Sequence, residues 1–234
     1  MKTETSENIN SYTPGTREEV RSLSLTLGKK SKLLADSEKS LIVVLEGWDA
    51  SGKSGCAEKI TKHMEKDTFR IVHTAAPSAE EKSFNYLKRF WDSIPPSGNV
   101  AVFDRSWYGR VMVERIERLC TETEWQRAYR EISEFERFLT DNGALLIKFW
   151  LDISEEVQLE RFVRRAATPE KRYKITPDDW RNRAKRGEYE KAIDEMLLKT
   201  DSPYARWHVV PSNDKVFSRI TVLQKIIELI DSAK

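Results

Sequence analysis

In Gly47-Trp48-Asp49-Ala50-Ser51-Gly52-Lys53-Ser54 the residue types and spacing follow G-x-x-x-x-G-K-[ST], the P-loop pattern. The chemistry it serves is the grip of a phosphate. Gly47 and Gly52 let the backbone wrap an anion without side-chain clashes. The N–H groups of Ala50, Ser51, Gly52, Ser54 and Gly55, with the start of the next helix, point at that anion. Lys53 adds a mobile positive charge, and Ser54 offers a hydroxyl to a phosphate-bound magnesium. Asp49 puts a carboxylate inside the loop, where it would repel phosphate unless a metal lay between them. Its other reading is a hydrogen bond that rigidifies the loop.

A second acid ends an apolar run, Val102-Phe103-Asp104-Arg105-Ser106. An Asp in that position has the form of a Walker B acid, though Asp is also common there as a helix cap. A P-loop needs a magnesium partner, so Asp49 and Asp104 are the expected metal site. Arg105 and Arg110 follow, and arginine forks match phosphate oxygens. Arg110 serves equally well as an ion-pair partner of Glu114 or Glu117. Asp49, Lys53, Asp104 and Arg105 are thus the expected catalytic set.

From Arg161 to Arg186 there are ten Lys or Arg and three acids, an excess suited to a polyanion. A helical lid there would close over the site and exclude water. Lys171, Arg172 and Lys174 are the first lid candidates, then Arg181 and Arg183. Salt bridges to Asp178, Asp179 and Glu188 are the plainer use of these cations. Of the three histidines only His73 lies where a phosphohistidine step would be conceivable. Trp48 or Trp107 could stack on a base; the other tryptophans suit packing.

These residues need a scaffold, and the chain alternates to supply one. Strands are expected at 41–46, 69–74, 100–104, 144–151 and 207–210. Helices are expected at 53–66, from a Ser78 capping box to Trp91, at 122–142, 155–165, 176–199 and 215–230. Leu23, Leu25 and Leu27 alternate as in a strand, while Leu33 and Leu34 suit a helix, so residues 17–38 stay unsettled. Five short apolar strands alternating with helices imply an α/β fold with a mostly parallel sheet covered on both faces. Ligands then bind at the carboxyl ends of the strands. The expected division is a tail and possible helix over 1–38, then one P-loop domain over 39–234 with its lid at about 161–190.

A chain of 234 residues is long enough to bury a sizeable core. It has no apolar run long enough for a membrane span and no secretory-type N-terminus. Cys56 and Cys120 lack metal-ligand spacing, so a cytoplasmic location with free thiols is expected. A net charge of +2 argues against a generic nucleic-acid binder.

The runs Glu46–Lys53, Phe103-Asp104-Arg105-Ser106-Trp107-Tyr108-Gly109-Arg110, Lys171-Arg172-Tyr173-Lys174 and Asp179-Trp180-Arg181-Asn182-Arg183 resemble polyphosphate kinase family 2. Ala76-Pro77, Arg89-Phe90-Trp91, Glu134-Phe135-Glu136, Lys148–Leu151 and Ala205-Arg206-Trp207 extend the likeness over about 41–230. The resemblance implies a P-loop kinase-type three-layer sandwich with a helical lid. It implies magnesium-dependent phosphoryl transfer between inorganic polyphosphate and an adenine or guanine nucleotide, and a homodimer or homotetramer. Asp49 and Lys53 match the family's loop residues, Asp104 and Arg105 its Walker B pair, and Arg172 and Lys174 its lid cations. Arg89 falls where the family turns a basic residue toward polyphosphate. Gly109, in place of an Asn, leans toward AMP as acceptor, with ADP also possible. Ser54-Gly55 stands where many relatives have two glycines. An ATP-dependent nucleoside or nucleotide kinase is the competing reading.

Overall fold

The computed structural model describes residues 15–233, so most of the tail expected over 1–16 lies outside the described residues. The helices are α1 (Arg17–Asp36), α2 (Lys53–Thr61), α3 (Lys88–Trp91), α4 (Val113–Ile116), α5 (Glu122–Asp141), α6 (Glu155–Ala167), α7 (Pro177–Ala184), α8 (Arg186–Thr200) and α9 (Lys215–Ser232). The strands are β1 (Ser40–Gly47), β2 (Phe69–His73), β3 (Val100–Asp104), β4 (Ala144–Asp152) and β5 (Trp207–Pro211). They form one sheet in the order β2-β3-β1-β4-β5, with every neighbouring pair parallel.

Parallel strands joined through helices must be covered on both faces, which is why β1 reads as an unbroken apolar run. Successive side chains point to opposite sides. Leu41, Val43 and Leu45 pack with residues of α1, α2 and α9, whereas Ile42 and Val44 pack with residues of α5 and α8. The result is the expected three-layer α/β sandwich.

Register places the chemistry. Leu45 pairs with Asp104, and Gly47 with Leu151. The P-loop and the Asp104 turn therefore leave adjacent strands at the same edge of the sheet, as the crevice rule requires.

Residues 17–36 are helical. Thr16 Oγ1 caps the first turn by accepting from Glu19 N. Val20, Ser24, Leu27, Ser31 and Leu34 bury one face at helical spacing, and Leu25, from the alternating leucines, is exposed.

Two expected helices are interrupted. The Ser78 capping box forms, since Ser78 Oγ accepts from Glu81 N at 3.1 Å and Glu81 Oε2 from Ser78 N at 2.7 Å. Only a 3-10 turn over Glu81–Ser83 follows before Phe84 turns extended. Asn85 Oδ1 then accepts from Leu87 N and starts a new turn. The helix expected over 176–199 breaks at Lys185, which leaves α7 and α8 as separate segments. No helix among the described residues is long and apolar enough to cross a membrane.

Candidate active site

The loop after β1 needs glycine at two points. Gly47 has φ of 148°, and a Cβ there would meet the Leu151 carbonyl at 2.4 Å. Gly52 has φ of 115° at the N-cap of α2, a backbone that side chains rarely tolerate. The first-turn N–H groups of α2, those of Lys53, Ser54 and Gly55, have no acceptor within the helix and face the loop's concavity.

Lys53 spans the loop, with Nζ donating to Gly47 O at 2.6 Å and Trp48 O at 3.0 Å. Burial, with Arg105 beside it, pulls its ammonium below the usual lysine value, against Asp49, Asp104 and Glu46. Ser54 Oγ donates to Asp104 Oδ2 at 2.6 Å. His73 Nδ1 lies 3.3 Å from the same oxygen. Hydroxyl and carboxylate therefore meet between two adjacent strand ends.

Arg105 has φ of 66°, a left-handed backbone that costs a non-glycine residue energy and is found at functional sites. It is held there by Arg105 N donating to Leu45 O and by Thr74, whose N–H and hydroxyl donate to Asp104 O and Arg105 O. The guanidinium pairs with Asp49, Nη2 to Oδ1 at 2.6 Å. The second Asp49 oxygen accepts from Asn182 Nδ2 at 3.0 Å. Burial alone would raise the Asp49 carboxyl. Lys53, Arg105 and Asn182 outweigh it and hold the group below the ordinary aspartate value.

The loop is also braced from behind. Arg161, on α6 and buried, donates through Nη1 to Ala50 O and Ser51 O and through Nη2 to Ser212 O and Asn213 O. Ser51 is fully buried, and its Oγ has no hydrogen-bond partner among the described residues. Below the loop, Glu46 Oε1 accepts from Ser106 N and Ser106 Oγ, both at 2.8 Å. Burial keeps its carboxyl above the ordinary value, with Lys53 and Ser106 opposing.

The segment expected to form a lid lies against this site. Asn182 of α7 reaches Asp49 directly, and Tyr189 OH donates to Asn182 Oδ1. Arg183 Nη1 donates to Gln158 Oε1, and Gln158 Nε2 in turn donates to the Asp49 carbonyl. Arg181 pairs with Glu117 at 2.9 Å and Asp178 at 3.0 Å. Lys171, Arg172 and Lys174 lie on an exposed 3-10 stretch, Pro169–Lys174, and Arg172 Nε donates to Ala166 O.

Arg110 pairs with Glu114 at 3.1 Å and stacks on Tyr86. Glu117 is taken by Arg181 and Lys185. Arg89 donates to Ala75 O. Base stacking by Trp107 is ruled out, because its ring is 1% exposed and edge-on to Phe90, Phe103 and Phe135. Trp48 is engaged as well, donating Nε1 to Asp152 Oδ1 with Arg186 over its ring.

Sequence reasoning passed over Glu46, Arg161, Gln158 and Asn182. Glu46 carried a signal, as an acid closing an apolar strand. Asn182 stood within a run that resembles the family but with no role attached, and Arg161 carried no signal, since among many cations nothing in the spacing marks the buried one.

Oxygen donors suit a hard divalent cation. Among the described residues no group of three or more His, Cys, Asp or Glu is arranged to hold a metal. Magnesium does not need one, since it binds through one or two carboxylates plus substrate phosphates. Asp104 Oδ2 and Ser54 Oγ, 2.6 Å apart, fit that role.

A family model described as polyphosphate kinase 2 (PPK2) matches residues 12–234. The polyphosphate:AMP phosphotransferase of Pseudomonas syringae pv. tomato is 46% identical over 194 residues, 83% of this chain and 39% of that protein. The chain thus spans about two-fifths of that relative's length. The GDP-polyphosphate phosphotransferase of Mycobacterium tuberculosis is 35% identical over 193 residues, 82% of this chain and 65% of that protein. The crystal structure of polyphosphate kinase 2 from Arthrobacter aurescens TC1 superposes with a TM-score of 0.91 at 30% identity. That match covers 97% of this chain and 83% of that one.

Proposed function

Because the chain belongs to the polyphosphate kinase 2 family, we propose that it moves a phosphoryl group between inorganic polyphosphate and a nucleotide, AMP to ADP first and ADP to ATP second. The observation that carries the reading is the junction of Ser54 with Asp104 beside the Asp49–Arg105 pair, above the free amides of α2. The leaning to AMP is supported by the higher identity to a polyphosphate:AMP phosphotransferase, 46%, than to a GDP-polyphosphate phosphotransferase, 35%.

In this reading the P-loop amides and Lys53 hold the terminal phosphate of the donor. Lys53 leaves the Gly47 and Trp48 carbonyls for phosphate oxygens as they arrive. Arg105, fixed by Asp49, places its guanidinium at the transfer point. Asp104 and Ser54 would hold magnesium, and Asp49, whose two hydrogen bonds leave lone pairs free, would contribute to the same site. Magnesium, when bound, neutralises charge on the transferring phosphoryl group. The lid, through Asn182, Lys171, Arg172 and Lys174, excludes water that would otherwise hydrolyse the donor. No covalent enzyme intermediate is required, because positioning and charge neutralisation carry the rate.

The test is purified chain with polyphosphate and magnesium against AMP, ADP, GMP and GDP, products separated by chromatography. ADP appearing from AMP fastest supports the reading. All four nucleotides unchanged, with ATP required as donor for any product, would instead favour an ATP-dependent nucleotide kinase on the same scaffold.

A further inference from the structure

One peptide unit at the site is gripped at both ends by side chains from other strands. β1 and β3 pair as far as Leu45 and Asp104, and Arg105 N donates to Leu45 O at 3.1 Å as the last rung. β1 then bends into the P-loop and β3 into the turn of Trp107, so the Arg105–Ser106 peptide has no strand left to pair with. Its N–H donates to Glu46 Oε1 at 2.8 Å. Its carbonyl accepts from Thr74 Oγ1 at 2.7 Å. The preceding peptide unit is held too, Asp104 O by Thr74 N at 3.1 Å and Arg105 N by Leu45. Two planar units fixed on either side of one Cα leave Arg105 little freedom in φ or ψ.

Arg105 needs that grip. Its φ of 66° lies where glycine is at ease and a residue with a Cβ is not. Released, it would relax to a right-handed or extended backbone, and its Cα–Cβ bond would turn away from Asp49. At the far end of the side chain the guanidinium pairs with Asp49 at 2.6 Å, so the residue is pinned at root and tip. Glu46 bears a cost for its part. It is 3% exposed and closes the fully buried apolar run Leu41–Leu45, where a carboxylate is expensive. Both of its hydrogen bonds go to Ser106, one from the N–H and one from the hydroxyl, each at 2.8 Å. Thr74 directly follows His73, the last residue of β2.

We propose that Glu46 and Thr74 are positioning residues for phosphoryl transfer: from the two sides of β3 they clamp the Arg105–Ser106 peptide and so aim the Arg105 guanidinium. The proposal rests on the reading of Arg105 as the arginine at the transfer point and deepens it. Neither residue touches phosphate in this account; each acts through Arg105. The sheet order β2-β3-β1 explains why these two positions serve. β3 lies between the strands that end at His73 and Gly47, and each neighbour supplies one side chain to the turn that β3 enters.

The test is Thr74→Val, which keeps the shape of threonine and removes the hydroxyl, assayed with polyphosphate, magnesium and AMP. The account expects kcat to fall at least about tenfold, with KM for AMP within about twofold of wild type. Thr74→Ser, which restores the hydroxyl, should recover most of the loss. Likewise Glu46→Gln, whose amide oxygen can accept the same two bonds, should outperform Glu46→Ala. If Glu46→Ala does not fold, T74V decides alone. In an Arg105→Ala background T74V should cost no more than about twofold further, because the group it aims is gone. A near-normal kcat in T74V, or the same tenfold loss without Arg105, overturns the clamp. A second readout needs no turnover. In protein labelled with ¹⁵N-arginine, the Arg105 Nε–H heteronuclear NOE should be that of an ordered side chain in wild type and T74S and should drop in T74V. An unchanged NOE in T74V overturns the clamp even if the wild type turns over no nucleotide, whereas transfer to AMP by the wild type tests the underlying reading separately.

Discussion

Replacing Glu136 with leucine should destabilise the protein by about 3–5 kcal/mol. Glu136 of α5 is 1% exposed and Lys148 of β4 is fully buried. Their ion pair, Nζ to Oε2 at 2.7 Å, lies in the interior. The second Glu136 oxygen accepts from Tyr108 OH at 2.7 Å and Trp107 Nε1 at 3.1 Å. Lys148 also donates to Tyr108 OH and Thr200 O. Burial pushes the Glu136 carboxyl up and the Lys148 ammonium down, and each holds the other charged against that pressure. Glu136→Leu strands an ammonium and two donors away from water, and an uncompensated buried charge accounts for most of the cost. At roughly 2–4 °C per kcal/mol for a chain this size, the melting point should fall by about 6–20 °C. Adding Lys148→Met removes the stranded charge, so E136L/K148M should be more stable than E136L alone. Urea denaturation of the wild type, both single variants and the double variant gives the cycle. A cost below about 1 kcal/mol for E136L, or strict additivity in the double variant, would refute the reasoning. The site would register the change too, because Trp107 and Tyr108 moor the turn that carries Arg105 and Ser106.

Arg161→Lys should loosen the P-loop, since an ammonium has three donors and cannot bridge four carbonyls on two loops as the guanidinium does. The expected result is a loss of roughly 2–4 kcal/mol in urea denaturation with faster amide exchange over 49–52, and unchanged exchange there would contradict it. The Glu117 carboxyl is held below its ordinary 4.5 by the Lys185 hydrogen bond and charge and by Arg181. A depressed folded value means that the folded state binds fewer protons, so this tether of α7 is present above about pH 4.5 and is lost as pH falls through the lower folded value. Protection of amides in α7, corrected for intrinsic rates, should fall over that range in the wild type and be low at every pH in Glu117→Gln. Asp104→Asn should weaken magnesium binding at the Ser54 junction at least about tenfold by calorimetry in the presence of triphosphate, and equal affinity would remove Asp104 from the metal site.

The layered fold was legible because buried parallel strands leave short apolar runs, as β1, β3 and β4 do, and the half-buried edge strands β2 and β5 keep enough apolar residues to be placed as well. The P-loop and Asp104 were legible because their spacing is set by local backbone geometry. What stayed hidden depends on contacts between distant segments. Asn182 meets Asp49 across 133 positions, and Arg161 meets Ser51 across 110. Lys148 did leave a trace, as a lysine within Leu145-Leu146-Ile147-Lys148-Phe149-Trp150, but its partner in α5 did not. Arg110 was open between phosphate and an ion pair with Glu114 or Glu117, and side-chain direction, which spacing does not register, pairs it with Glu114 in the structure. The helix expected from Ser78 to Trp91 stopped early because Asn85 offers its own side chain to the backbone, a local competitor that periodicity does not register.

The central claim is that Lys53, Asp104 and Arg105 carry phosphoryl transfer from a condensed phosphate to a nucleotide. Phosphorus NMR of purified chain with polyphosphate as the sole phosphoryl donor, magnesium and AMP measures it directly. The account predicts growth of the ADP β-phosphorus signal as the polymer shortens, slowed at least about a thousandfold by Lys53→Ala. An unchanged AMP spectrum with the wild type, or near-normal rates with Lys53→Ala, would contradict it.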